Sequence, residues 1–250
     1  MKDLIELTKI FRHTLGIKSG PVAVRVITNL EETPVVFKKP EKPLPSLCFA
    51  VMEAFKGKGL LVGKADIGCT MGLTAMGFRK ESEKLTRKQT VQMGVFGNQE
   101  AAQKYFAEGN QVPPGRTQAL VLSPLERAVL GVDVCLFRIT SDQAKWLLMA
   151  NQYLTGERHN LKVGTGYQGV CGDVIAYPYL KKKINLTLNG VGDRIPQARG
   201  KNEIFMGVPG ELLEAIAVNL TEIYKKPIFR QQQSLKNPQK IVSSRTGPRS

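Results

Sequence analysis

Three of the four cysteines stand where backbone can bend around a ligand. Cys48 follows a proline-rich stretch at the expected start of a helix, Cys69 lies in IGCTMG, and Cys171 lies in GVCGD. A helix N-terminus and adjacent backbone N–H groups lower a thiol's pKa and can hydrogen-bond thiolate or sulfide, as a metal or cluster site requires. Cys135 differs, because VDVCLF is an apolar run of the buried-strand type in which cysteine acts as a small hydrophobe. The other three are far apart in sequence and form no CxxC pair, so spacing alone favours separate reduced thiols over a shared site.

Polar candidates lie nearby. Asp173, two residues after Cys171, could supply a further ligand, orient one, or serve backbone N–H groups at a helix start. Asp193 with Arg194, and Glu203 before FMGVP, sit at strand ends, where α/β proteins place ligands; exposed loop charge is the plainer explanation for each. Arg116, after the PPG turn, has the same standing. GTGYQG at 164–169 matches GxGxxG, but NLKV before it is a poor strand and Pro178 follows within two turns, so a dinucleotide site is not expected. No GxSxG, HExxH or Walker A motif occurs, and only His13 and His159 offer imidazoles, which disfavours the usual hydrolase chemistries. Met71, Met76 and Phe78 read as core packing.

The elements that must position these groups alternate in type. Leu4, Leu7, Ile10, Phe11 and Leu15 recur at helical spacing before Gly16, and PVAVRVI reads as a strand. Thr33 to Pro45 holds four prolines among lysines and reads as a surface excursion. LCFAVMEAFKGKG suits a helix ending at Gly57 or Gly59, GLLVG a short strand, and ADIGCTMGLTAMGF a shaped loop too rich in glycine for an ordinary helix. NQEAAQKYFAEG is a helix with Asn98 as cap, and VPPGRTQALVLSPL and GVDVCLFRIT are two strands, each apolar enough to be central. SDQAKWLLMANQYLTG is a helix capped by Ser141, INLTLNG and EIFMGVP are strands, and GELLEAIAVNLTEIY is a closing amphipathic helix. The expectation is α/β: a single compact domain over residues 1–226, with a mixed sheet flanked by helices, and a flexible basic tail over 227–250.

Composition bounds the partners. No run approaches the ~20 apolar residues of a bilayer span, and MKDLIELTKIFRHTLG has no apolar signal core, so a cytoplasmic protein with reduced thiols and no membrane partner is expected. The net charge of +15 invites nucleic acid. Its distribution weakens that reading: part sits in the tail after Glu222, which carries no acidic residue, and the rest in patches around Lys38, Arg79 to Lys88 and Lys181 without aromatic interleaving.

LPSLCFAVMEA, IGCTMGLTAMGF, PPGRTQALVLSPLERA, GVDVCLF, GVCGDVIAYPYL and EIFMGVPGELLEAI, in this order, resemble the archaeal and bacterial family of uncharacterised proteins known as domain of unknown function 169, or ArCR-like. The resemblance spans roughly residues 3 to 224. It implies cysteines at the places of Cys48, Cys69 and Cys171, and no established activity. Some members also carry cysteines where this chain has Gly190 and Asp193 in LNGVGDR, so a ligand set there would be reduced here. Three thiolates on zinc leave a fourth position for water, Asp or His; three on an iron–sulfur cluster leave one iron open. With few imidazoles, the cluster is the preferred expectation, zinc or no metal the alternative, and a small-molecule ligand or redox partner the implied associate. Asp173, Asp193 and Arg194 are the candidates around such a ligand. The competing expectation is a basic module that contacts nucleic acid and keeps its cysteines structural.

Overall fold

Side chains alternate across the strands, and that alternation separates the cysteines. The computed structural model describes residues 3–80, 83–193 and 202–235. Within them β1 (Val22–Ile27), β2 (Leu60–Gly63), β3 (Ala119–Pro124), β4 (Val134–Thr140), β5 (Asn185–Thr187) and β6 (Glu203–Pro209) form one sheet in the order β2-β3-β1-β4-β6-β5. Every strand pair is antiparallel, and the parallel component expected of a mixed sheet is confined to isolated bridges at Lys38–Leu60 and Leu44–Ile67. The connections explain this. The proline-rich excursion precedes the helix between β1 and β2, and several helices separate β2 from β3, so neither is the single-helix crossover that makes neighbouring strands parallel.

The helices are α1 (Leu4–Leu15), α2 (Leu47–Phe55), α3 (Thr70–Ala75), α4 (Glu83–Gln92), α5 (Gln99–Glu108), α6 (Ser141–Gln152), a π-helix (Gly169–Ala176), α7 (Tyr177–Lys181), α8 (Leu213–Lys225) and α9 (Pro227–Leu235). One face of the sheet packs on α1, α6 and α8: Ala23, Cys135, Phe137, Ile139, Met206 and Val208 point there, with Phe137 edge-on to Phe11 at 5.0 Å. Val22, Val24, Leu120, Leu122, Val134, Leu136 and Phe205 point the other way, into α2, α3 and the π-helix. Period-two alternation thus sends Cys135 into one layer while Cys48 and Cys171 lie in the other, with Cys69 packed against them. Cys135 is fully buried, as expected of a core thiol. Cys135→Ala is expected to lower unfolding stability by about 1 kcal/mol in a denaturant titration while leaving the metal content discussed below unchanged.

Several elements depart from the expectation. The glycine-rich ADIGCTMGLTAMGF is not all loop: residues 70–75 form α3, held by Gly72, where a Cβ would come 3.2 Å from the Cβ of Leu47. Thr140, not Ser141, caps α6, closing a capping box with Gln143. Residues 227–235, placed in the tail from sequence, form α9, because Phe229 buries its ring against Trp146 and Tyr224 at 4.6 Å from each. The rest of that expected tail, residues 236–250, and Arg194 lie outside the described residues. Among the described residues no helix is long and apolar enough to cross a membrane.

Candidate functional site

Cys48, Cys69 and Cys171 come from the starts of three helical segments that the fold ties together. Cys48 is the second residue of α2, after Ser46, an N-cap in extended conformation whose buried hydroxyl has no hydrogen-bond partner among the described residues. Cys69 is the N-cap of α3. The Gly68 N–H donates to Leu44 O at 2.8 Å and the Leu44 N–H to Asp66 O at 2.9 Å, pinning the turn before Cys69 to the segment before Cys48. Cys171 sits in the first turn of the π-helix, opened by Gln168 at φ +65° with Asp173 N–H reaching Gln168 O at 3.0 Å, five residues back. Such wide turns occur mostly as short bulges at functional sites, and this one runs for eight residues. The Met71 carbonyl of α3 joins the two pieces, accepting from Gln168 Nε2 at 3.3 Å with the Cys171 thiol 3.9 Å away.

A carboxylate completes the group. Asp193 accepts from the Gly190 N–H at 2.9 Å and the Val170 N–H at 3.3 Å, and its Oδ1 lies 4.0 Å from Cys48 Sγ. Its loop is laced to GTGYQG by Val191 N–H to Thr165 O and Gly192 N–H to Gly166 O, at 2.9 and 2.8 Å. Gly169 must be glycine for this: a Cβ there would fall 2.3 Å from Asp193 Oδ2. The glycines of the GxGxxG match therefore serve loop-to-loop closure; no strand precedes them, and a π-helix follows where a dinucleotide fold needs a long α-helix.

Burial pushes the Cys171 thiol well up, and the neighbouring acids Cys48, Asp193, Cys69 and Asp173 push it further. Burial lifts Asp193 to about 6, against three backbone N–H groups that favour its ionised form. Burial likewise lifts Asp173 to about 7, opposed by the Gly164 N–H and reinforced by Asp193. Asp173 is not at a helix start. Its carboxylate takes the Gly164 N–H at 2.9 Å, while its backbone carbonyl accepts from the fully buried Asn185 at 2.9 Å.

Behind the π-helix opens a cleft of about 110 Å³, lined among others by Asp173, Tyr105, Tyr167, Gln168, Glu108 and Lys162. The Tyr105 hydroxyl donates to Tyr167 O at 2.8 Å and accepts its N–H at 3.2 Å. Sequence reasoning missed Tyr105, Lys162 and Gln168: the first lies on an ordinary amphipathic helix, and only the glycine cluster hinted at the turn that Gln168 makes.

The structure brings Cys48, Cys69, Cys171, Asp173 and Asp193 into one neighbourhood. As placed, among the described residues, no three His, Cys, Asp or Glu side chains are arranged to grip a single ion. Glu203 stands elsewhere, in an ion pair with Arg138 at 2.6 Å. His13 packs at a tilt against Tyr224 and His159 meets the Leu148 carbonyl, so neither serves the cysteines. Met76 and Phe78 are buried in the core, as expected.

A family profile described as DUF169, uncharacterised ArCR, matches residues 10–219. The chain belongs to this family. The ArCR assignment accords with a relative, the uncharacterized protein MJ0308 of Methanocaldococcus jannaschii, which is 29% identical over 199 residues, covering 78% of this chain and 84% of that one. No solved structure matches it significantly.

Proposed function

We propose that this ArCR protein is a cysteine-ligated metalloprotein, in which Cys48, Cys69 and Cys171 hold an iron–sulfur cluster or, in the alternative, zinc, and which binds a small ligand or passes electrons. The observation that carries this reading is the make-up of the neighbourhood. Around a buried thiol stand two further thiols and two carboxylates, and each electrostatic influence on Cys171 comes from an acid. Acids gathered out of water resist ionisation unless a cation joins them. A metal ion reverses that balance for every member at once, and sulfur donors select zinc or iron–sulfur clusters over hard cations.

The donor set fits such a group in type. Cys48 and Cys69 both stand at helix starts, the setting that favours thiolate, and the hydroxyl of Ser46 is a buried donor without a partner among the described residues. Asp193, beside Cys48, is better placed than Asp173 to act as a fourth ligand or to orient one. Ligation requires the thiol side chains to turn toward one point, so the cage closes on loading. A bound centre would supply an iron or zinc with one open position; the protein's residues hold it dry and keep Asp193 at its edge.

The test is metal and sulfide content, with an absorption spectrum, of the full chain purified without oxygen. The expected result is iron with broad visible absorbance, or zinc without it, in near-stoichiometric amount. Colourless protein with neither metal would return the thiols to a packing role.

A further inference from the structure

We infer that the cleft behind the π-helix is a binding site for a small organic cation bearing N–H donors, an amidinium or primary ammonium. This goes beyond the metal reading and does not depend on it, because the cleft lies on the Asp173 side of the π-helix and none of the cysteines lines it.

Several independent features select a cation. Asp173 lines the cleft and is only 8% exposed; one of its oxygens takes the Gly164 N–H, and the other accepts from no described residue. The ten-residue helix α5 ends at the same wall, where Tyr105, Glu108 and Gly109 line the cleft. A helix C-terminus presents carbonyls short of donors and a negative partial charge, which favours cations. Tyr105 and Tyr167 also line the space, and aromatic side chains suit a cation. At the rim the exposed Glu108 and Lys162 oppose each other in sign, leaving Asp173 as the charge of the interior.

Size narrows the class. A cavity of about 110 Å³ is smaller than the ~150 Å³ cavity known to hold benzene. A head group of four to six heavy atoms therefore fits, with any longer chain extending past the rim.

The experiment is a titration of the full chain, in chelator-containing buffer, with methylguanidinium chloride and separately with N-methylurea, its uncharged analogue. Amide NMR reads both, with the Gly164 signal reporting on Asp173. Saturable binding of methylguanidinium at millimolar concentration is expected, with N-methylurea weaker by about tenfold or more, since hydrogen bonds to a charged partner are the stronger ones. Asp173→Asn should weaken methylguanidinium by a similar factor, whereas Glu222→Gln, on the exposed side of α8 and outside the cleft, should change it no more than about twofold. Wild-type protein that shows no saturable shift, or that binds the urea equally well, overturns the site whether or not the Asn variant folds. Cys69→Ser separates the two readings: it should lose metal yet keep methylguanidinium affinity, and loss of both would overturn the independence of the sites.

Discussion

Cys171→Ser is expected to lower the bound metal from near one centre per chain to below about a tenth of that amount, since even residues behind a ligand change affinity by ~10–100-fold. A serine hydroxyl does not ionise near neutral pH and offers no soft donor, so the change removes a ligand while altering volume little. Position adds to the effect. Cys171 is 4% exposed and is the thiol on which Cys48, Cys69, Asp193 and Asp173 converge electrostatically, so no water can readily stand in for it. The same substitution should lower the stability of metal-free protein modestly at neutral pH, because the Cys171 thiol is already neutral there and a hydroxyl takes its place in an apolar layer. Cys135→Ala, in the opposite layer, serves as the control that keeps its metal. A Cys171→Ser protein with wild-type iron or zinc would place any centre elsewhere, and the cysteine-ligated reading would then fail.

Much of the scaffold around this group was readable from residue order, because buried strands and amphipathic helices follow periods of two and 3.6. VDVCLF gave both a strand and the inward, core-facing fate of Cys135. The three candidate ligands were recognisable by their glycine and proline surroundings, whereas their nearness in the fold depends on contacts between residues about 100 apart, such as Met71 with Cys171. Local rules say nothing about such contacts. The same holds for strand direction, which depends on how each connection returns, and for α9, which is held by the buried ring of Phe229 in an otherwise polar run. The π-helix had no composition signal beyond GVCGD. Its turns follow from the lacing of two glycine loops and from Gly207 on β6, where a Cβ would fall 2.0 Å from Val174 O.

Freed of metal, the protein is expected to carry a stability contribution that falls as pH rises from about 4 to about 7. Asp173 and Asp193 have their folded values lifted to about 7 and about 6 from 3.8. Across that window the native state keeps protons that the unfolded chain has already released, so raising the pH favours unfolding; the contribution is present in full below 3.8 and lost above about 7. The loss is on the order of 4 kcal/mol, less than two independent shifts would give, because the charge of Asp193 is part of what lifts Asp173. Exposed carboxylates paired with lysine, such as Glu222 with Lys225, pull the opposite way as pH falls, so the comparison must be with variants. Urea midpoints at about pH 5 and pH 8 with chelator present should show Asp173→Asn and Asp193→Asn gaining stability relative to wild type at the higher pH. A difference between wild type and variants that is constant with pH would mean that the two carboxyls titrate normally and that the site is wetter than its packing indicates. Loaded protein should behave in the reverse sense, since a cation favours the ionised carboxylates and thiolates and its binding releases protons. The same pair of groups therefore destabilises the empty site and strengthens the filled one, which is the behaviour of a site shaped for a positive occupant.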